Sequence, residues 1–269
     1  MKKLPLLLAA PLLWLAACES KKGSSETSES TADTLHYAVT ADSVKSKTCI
    51  RPDSLCATAS FAYPVFDGNK ALNDSILRDV LTFSGFFDGE STPEELKKST
   101  PKSAMSDFVG GFDDFVADQR KRFPKEPIMG GVWTNELKAN VLYQTKDMIA
   151  VSYFNFIYSG GAHPNTNTSY ANYHRDGRKV RLSELFQAGY EPKLAAVAEK
   201  IFRAQEGLKA GEPLGEKYFF EGGRFVLNDN FSIRPDGILF HYNPYEIKSY
   251  AEGPTDLFLP NAELKALRK

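Results

Sequence analysis

The sequence predicts an α+β fold: two modules with mainly antiparallel sheets flanked by helices. Two observations carry this reading. Strand-like and helix-like apolar patterns follow each other in runs, not in a regular β-α alternation, which argues against a doubly wound parallel sheet. Short polar turns, Lys146-Asp147 and Pro235-Asp236-Gly237, join pairs of strand-like segments, as hairpins require.

The chain opens on a targeting signal. Lys2 and Lys3 precede the apolar stretch Leu4 to Leu15, which is too short for a comfortable membrane span. Leu15-Ala16-Ala17-Cys18 has the form of a lipobox, so residues 1–17 are expected to be removed and Cys18 to be lipidated. Two or three acyl chains anchor stably where one does not. Residues 18–33 are almost without apolar side chains and are expected to be a flexible tether. The expected location is the cell envelope, lipid-anchored on the periplasmic or outer-surface face, with the membrane as one partner. The 33 basic and 34 acidic residues of the full chain give a formal net charge of −1, which offers no electrostatic case for nucleic acid.

With Cys18 acylated, Cys49 and Cys56 remain, and outside the cytoplasm two cysteines normally pair. The strand-like runs His36 to Val44 and Ala57 to Val65 flank them, with Pro52-Asp53 as turn formers between. A hairpin closed by a Cys49–Cys56 disulfide is expected. Phe61, Tyr63 and Val65 alternate up to the Asp67-Gly68 turn, and Leu72, Ile76, Val80 and Leu81 then recur at helical spacing. A second helix is expected from about Ser103 to Phe123, capped by Ser103 or Ser106, with Phe108, Phe112, Phe115 and Val116 as its buried stripe. Gly130 to Tyr143 and Met148 to Tyr158 read as long strands, and Thr168 to His174 as another, ending in Arg175-Asp176-Gly177. A short helix from Leu182 to Phe186 leads to a longer one, Lys193 to Leu208. Phe225 to Ile233 and Ile238 to Tyr242 read as a hairpin, followed by a strand from Leu257 to Pro260 and a helix from Asn261.

The most informative stretch is YSGGAHPN, Tyr158 to Asn165, directly after an apolar aromatic run. Together with PYEI and YAEG much later, in Asn243 to Pro254, it resembles the DUF3298 domain family of bacterial extracytoplasmic proteins, to which RsiV and PdaC belong. The order strand, YP, turn, LN, helix from Ser60 to Val80 is similar to the DUF4163 module that commonly precedes it. The resemblance implies a DUF4163-like α+β module over 34–157 and a DUF3298-like α+β module over 158–269, in a bacterial lipoprotein. It also implies a lysozyme-like protein as a partner, because RsiV binds lysozyme. The deacetylase activity of PdaC resides in a separate metal-dependent domain without a counterpart here, and is not carried over.

The residues themselves name no reaction. There is no GxSxG elbow, no HExxH and no HxH pair, so neither a catalytic residue nor a metal or other cofactor is assigned. His163, His174 and His241 could converge on a metal only if the fold brought three separate segments together. Glu246 is expected to cap a turn or pair with a base, not to act as a catalytic carboxylate. What remains is a polar-aromatic cluster, Tyr158, His163, Asn165, Tyr242, Tyr245 and Tyr250, as candidate ligand-binding residues if the two motifs meet. Such side chains combine stacking area with hydrogen bonds. The function expected is therefore non-catalytic binding of a muramidase-like protein or of peptidoglycan. The alternatives are an envelope hydrolase with a scattered site and a structural envelope protein without a ligand.

Overall fold

The computed structural model describes residues 34–51, 54–85, 98–215 and 217–269. The signal segment, the tether, Cys18 and the Pro52-Asp53 turn lie outside the described residues. Asp33–Lys269 is one compact unit. The fold is α+β, with one five-stranded and one three-stranded sheet and only one parallel pair among the described strands.

The first sheet has the order β1-β2-β3-β4-β5, with β1 Tyr37–Arg51, β2 Ser54–Phe66, β3 Thr134–Gln144, β4 Met148–Tyr158 and β5 Asn165–His174. The expected hairpin is present, with Cys49 opposite Cys56 and the two joined as a disulfide. So small a loop contributes about 2–3 kcal/mol by constraining the unfolded chain. β2 and β3 are parallel, so the chain must cross over between them. Helices α1 (Lys70–Phe83) and α2 (Pro101–Arg122) lie in that connection and cover one face of the sheet. Leu72, Ile76 and Val80 of α1 and Phe108, Phe112 and Val116 of α2 meet Phe61, Leu137 and Tyr153 in the first core. The cap of α2 is Thr100, not Ser103 or Ser106. Ser103 is the third residue of a reciprocal capping box, its hydroxyl accepting from Thr100 N–H at 2.9 Å.

The sheet does not end at the expected module boundary of 157/158. β5 pairs with β4 from Ile157↔Asn165 to Met148↔His174, so the boundary falls at the last residue of β4, inside one sheet. The chain then forms α3 (Leu182–Leu185), α4 (Glu191–Gln205), the second sheet and α5 (Asn261–Leu264). The second sheet has the order β6-β7-β8, with β6 Phe231–Arg234, β7 Gly237–Tyr242 and β8 Thr255–Pro260. β6 is shorter than the expected strand from Phe225. The segment before it is held by side chains instead, with Asn228 donating to His241 O at 2.7 Å and Tyr242 OH donating to Val226 O at 2.8 Å. Phe202 of α4, Phe220, Phe240 and Leu257 form the second core.

A half-buried triad supports this second core. Glu206 accepts from Lys248 at 3.1 Å and from Tyr218 OH at 2.9 Å. Burial alone would raise the Glu206 carboxyl, but the bonds from Lys248 and Tyr218 outweigh it and hold the group below its ordinary value. A depressed folded-state value means stability that is present above the unfolded value and lost as pH falls through the folded one. Glu206→Gln is therefore expected to lower the melting temperature at neutral pH and to leave it closer to the parent's at acid pH. Melting curves followed by circular dichroism from pH 7 to 3 check this. A constant offset across that range would contradict it.

Candidate functional site

The two sequence motifs meet. His163, in the loop between β4 and β5, stacks on Tyr250 with ring centroids 4.0 Å apart and planes 17° apart. Its Nε2 lies 3.2 Å from the hydroxyl of Tyr245, 82 residues away in the chain. Tyr245 and Tyr250 are 5.5 Å apart, and Tyr250 OH donates to Pro164 O at 3.2 Å. Tyr245 and Tyr250 line a cleft of about 300 Å3 together with Asn165, Asn167 and Asn155, and His163 braces both tyrosines from outside its lining. That volume is at the small end of ligand cavities.

The local sequence explains how the cluster is held. Asn243-Pro244-Tyr245-Glu246 is a turn, with Glu246 N–H donating to Asn243 O at 3.1 Å. Pro244 pre-sets the backbone at the second turn position. Tyr245 then sits at the third with φ +69°, a conformation normally left to glycine or asparagine. A bulky residue stays there only where the surroundings over-determine it. Here they do: Glu246 accepts from Asn243 N–H at 2.8 Å, and the Asn243 side chain accepts from Thr168 N–H at 2.7 Å and donates to Thr168 O at 3.2 Å. Glu246 is thus a turn cap, as expected. The backbone strain is concentrated at an aromatic side chain that is 54% exposed.

Two of the six expected residues stand apart from this cluster. Tyr242 is 1% exposed and belongs to the second core, because β7 is buried on both faces. Tyr158 closes the loop: its ring lies against Gly131 and its hydroxyl donates to Gly161 O at 3.1 Å. The glycines of the motif serve the backbone. A Cβ on Gly160, at φ +102°, would stand 3.1 Å from Gly130 O, so only glycine lets the two loops approach so closely. Asn155 was not foreseen. It is 2% exposed and donates to Asn135 Oδ1 at 2.8 Å, and Asn135 donates in turn to Ser84 O at 3.0 Å. A lone amide in the apolar run MIAVSYFNFIY was the available signal.

The histidines do not converge. His174 pairs with Glu184 at 2.8 Å and His241 with Asp256 at 2.7 Å, and neither shares a partner with His163. Among the described residues no group of three His, Cys, Asp or Glu side chains is placed to hold a metal. The contacts of His163 are Pro164 O, Tyr245 and Tyr250, so no serine or carboxylate is in hydrogen-bond reach of its ring among the described residues.

A segment holding the second sheet and PYEI is similar to a known family. Residues 183–262 match the DUF3298 domain. That family is described as a protein of unknown function (DUF3298). Residues 50–166 match a second family, described as deacetylase PdaC. YSGGAHPN lies in the PdaC-like match and the PYEI and YAEG segments in the DUF3298 match, so the aromatic cluster is assembled from both. Two solved structures share the fold. A DUF3298 family member from Bacteroides fragilis superposes with a TM-score of 0.68 at 19% identity, covering 89% of this chain and 96% of its own. A DUF3298 family protein from Pseudomonas aeruginosa gives 0.62 at 16% identity, covering 88% and 95%. At such identities the likeness is one of fold. No curated protein matches the chain.

Proposed function

We propose that this protein is a non-catalytic binding module of the cell envelope whose cleft beside Tyr245 and Tyr250 takes a wall glycan. The observation that carries the reading is Tyr245: an exposed aromatic ring held at φ +69° inside a turn braced by Asn243 and Glu246. Packing alone would favour glycine at that position, since glycine removes the strain. Aromatic faces with neighbouring amides suit pyranose rings, which offer apolar C–H faces and hydroxyl groups. The wider setting in this reading is a lipoprotein tethered through Cys18, with a DUF4163-like module ahead of the DUF3298 domain. Hydrolysis is the weaker reading, because the His163 ring is engaged by two tyrosines and a carbonyl.

Tyr245→Gly separates fold from function. The variant is expected to stay within about 1 kcal/mol of the parent in stability, because the strain of a left-handed non-glycine residue is relieved. Its binding to purified peptidoglycan is expected to fall tenfold or more, by co-sedimentation of the full chain. If the parent chain binds lysozyme but not peptidoglycan, and Tyr245→Gly abolishes that, the surface is a protein-docking one. If the parent binds neither, the reading is wrong.

A further inference from the structure

A larger cleft of about 750 Å3 lies where the outer edge of β5 meets α3 and the segment before β6, sharing Asn243 and Glu246 with the turn that carries Tyr245 but none of the rings of the tyrosine cluster. Tyr170, Tyr190 and Phe231 give it aromatic walls, and the segment 179–183 and residues 229–231 complete it. The edge of β5 needs no strand partner here. Asn230 accepts from Tyr170 N–H at 2.8 Å and donates to Thr168 O at 2.8 Å, Asn172 donates to Phe231 O at 2.8 Å, and Val180 N–H donates to Asn172 O at 2.7 Å. The cleft is thus a built gap between braced elements, as ligand sites between lobes commonly are.

Its charges divide into two kinds. Lys179 is committed to Asp79 at 2.8 Å, and Glu246 to Asn228 at 2.6 Å and to the Asn243 turn. The guanidinium of Arg181 and the carboxylate of Asp229 line the same cleft and have no hydrogen bond or ion pair among the described residues. One wall group is therefore an uncommitted cation and another an uncommitted anion, with aromatic surface in the same cavity. The Tyr190 phenol, pushed up by burial and by Glu191 and Asp229, stays a proton donor there.

We infer that this cleft binds a short peptide with free ends, its carboxylate on Arg181, its ammonium on Asp229 and its small apolar side chains against Tyr170, Tyr190 and Phe231. Guanidinium and carboxylate partners of opposite charge give the stronger hydrogen bonds, and the aromatic faces supply contact without requiring particular side chains. The site does not depend on the glycan reading, since it shares none of His163, Tyr245 or Tyr250.

Isothermal titration of the full chain with tetra-alanine tests this, beside N-acetylated, C-amidated and doubly blocked forms. The free peptide is expected to bind at least tenfold more tightly than the doubly blocked one. Arg181→Gln should weaken the free peptide on the order of tenfold and leave the C-amidated form unchanged. Asp229→Asn should do the same for the amine, sparing the N-acetylated form. Tyr245→Gly should alter none of these values, whatever it does to peptidoglycan. No heat with free tetra-alanine, equal affinity for free and blocked peptides, or indifference to both cleft variants would each overturn the assignment. Both variants are at exposed positions, so loss of folding, checked by circular dichroism, is not expected.

Discussion

Replacing Lys179 by methionine is expected to destabilise the protein by about 3 kcal/mol, more than replacing its partner Asp79 by asparagine. The asymmetry follows from exposure. The Asp79 side chain on α1 is 5% exposed, whereas that of Lys179 is 53% exposed. Asp79 accepts from Lys179 Nζ at 2.8 Å and, through its other oxygen, from Tyr173 OH, which lies 2.5 Å from Tyr153 OH. Burial, followed by Tyr153 and Asp79, pushes the Tyr173 phenol well above its ordinary value, so it remains a donor at any working pH. Removing Lys179 strands a buried carboxylate with the Tyr173 phenol as its remaining side-chain partner. Removing the charge of Asp79 frees an ammonium that can reach water, so Asp79→Asn is expected to cost only about 1–2 kcal/mol. Urea unfolding of the two variants checks the order. Equal costs, or Asp79→Asn being the worse, would show that the network is not anchored by burial of the carboxylate.

Gly177→Ala is expected to be comparably damaging, at about 2–4 kcal/mol. In sequence, Arg175-Asp176-Gly177 is an ordinary turn after β5. In the fold it is pressed against the first turn of α1: a Cβ on Gly177 would lie 2.5 Å from Ala71 O and 2.7 Å from Ala71 C. The neighbour is backbone and cannot turn aside, and such overpacking costs about 1–3 kcal/mol. The φ of +84° adds about 1 kcal/mol for any side chain. Gly68, also in a turn and at φ +67°, has open space around it, so Gly68→Ala carries the backbone strain alone. The difference between the two variants in chemical denaturation isolates the contact with α1. Matching losses would mean that the turn does not rest on the helix.

Much of the fold was legible because its signals are local. Met148–Tyr158 ends where its apolar aromatic run gives way to Ser159-Gly160-Gly161, and the Cys49–Cys56 hairpin follows from compartment chemistry and two turn residues. Phe108, Phe112 and Val116 are buried on α2 as their spacing requires. The misses have a shared cause. Thr100 took the cap from Ser103 and Ser106 because the helix begins two residues sooner, with Pro101 at its first position. The strand expected from Phe225 was cut short because Asn228 and the Tyr242 hydroxyl satisfy the backbone there. Tyr242 looked like its tyrosine neighbours on the page, yet β7 has no solvent face to offer it.

The sequence by itself determined the α+β class, the hairpins, the disulfide partners and the resemblance of two separated motifs, since each depends on residues a few positions apart or on a recurring local pattern. Only the tertiary structure decided which of the six polar-aromatic residues share a surface. His163, Tyr245 and Tyr250 meet because the turn at Asn243 is hydrogen-bonded to Thr168 on β5, a contact that spans 75 residues and leaves no periodic trace in either segment. Long-range side-chain bonds of this kind place the site, and they also separate it from the second cleft around Arg181 and Asp229.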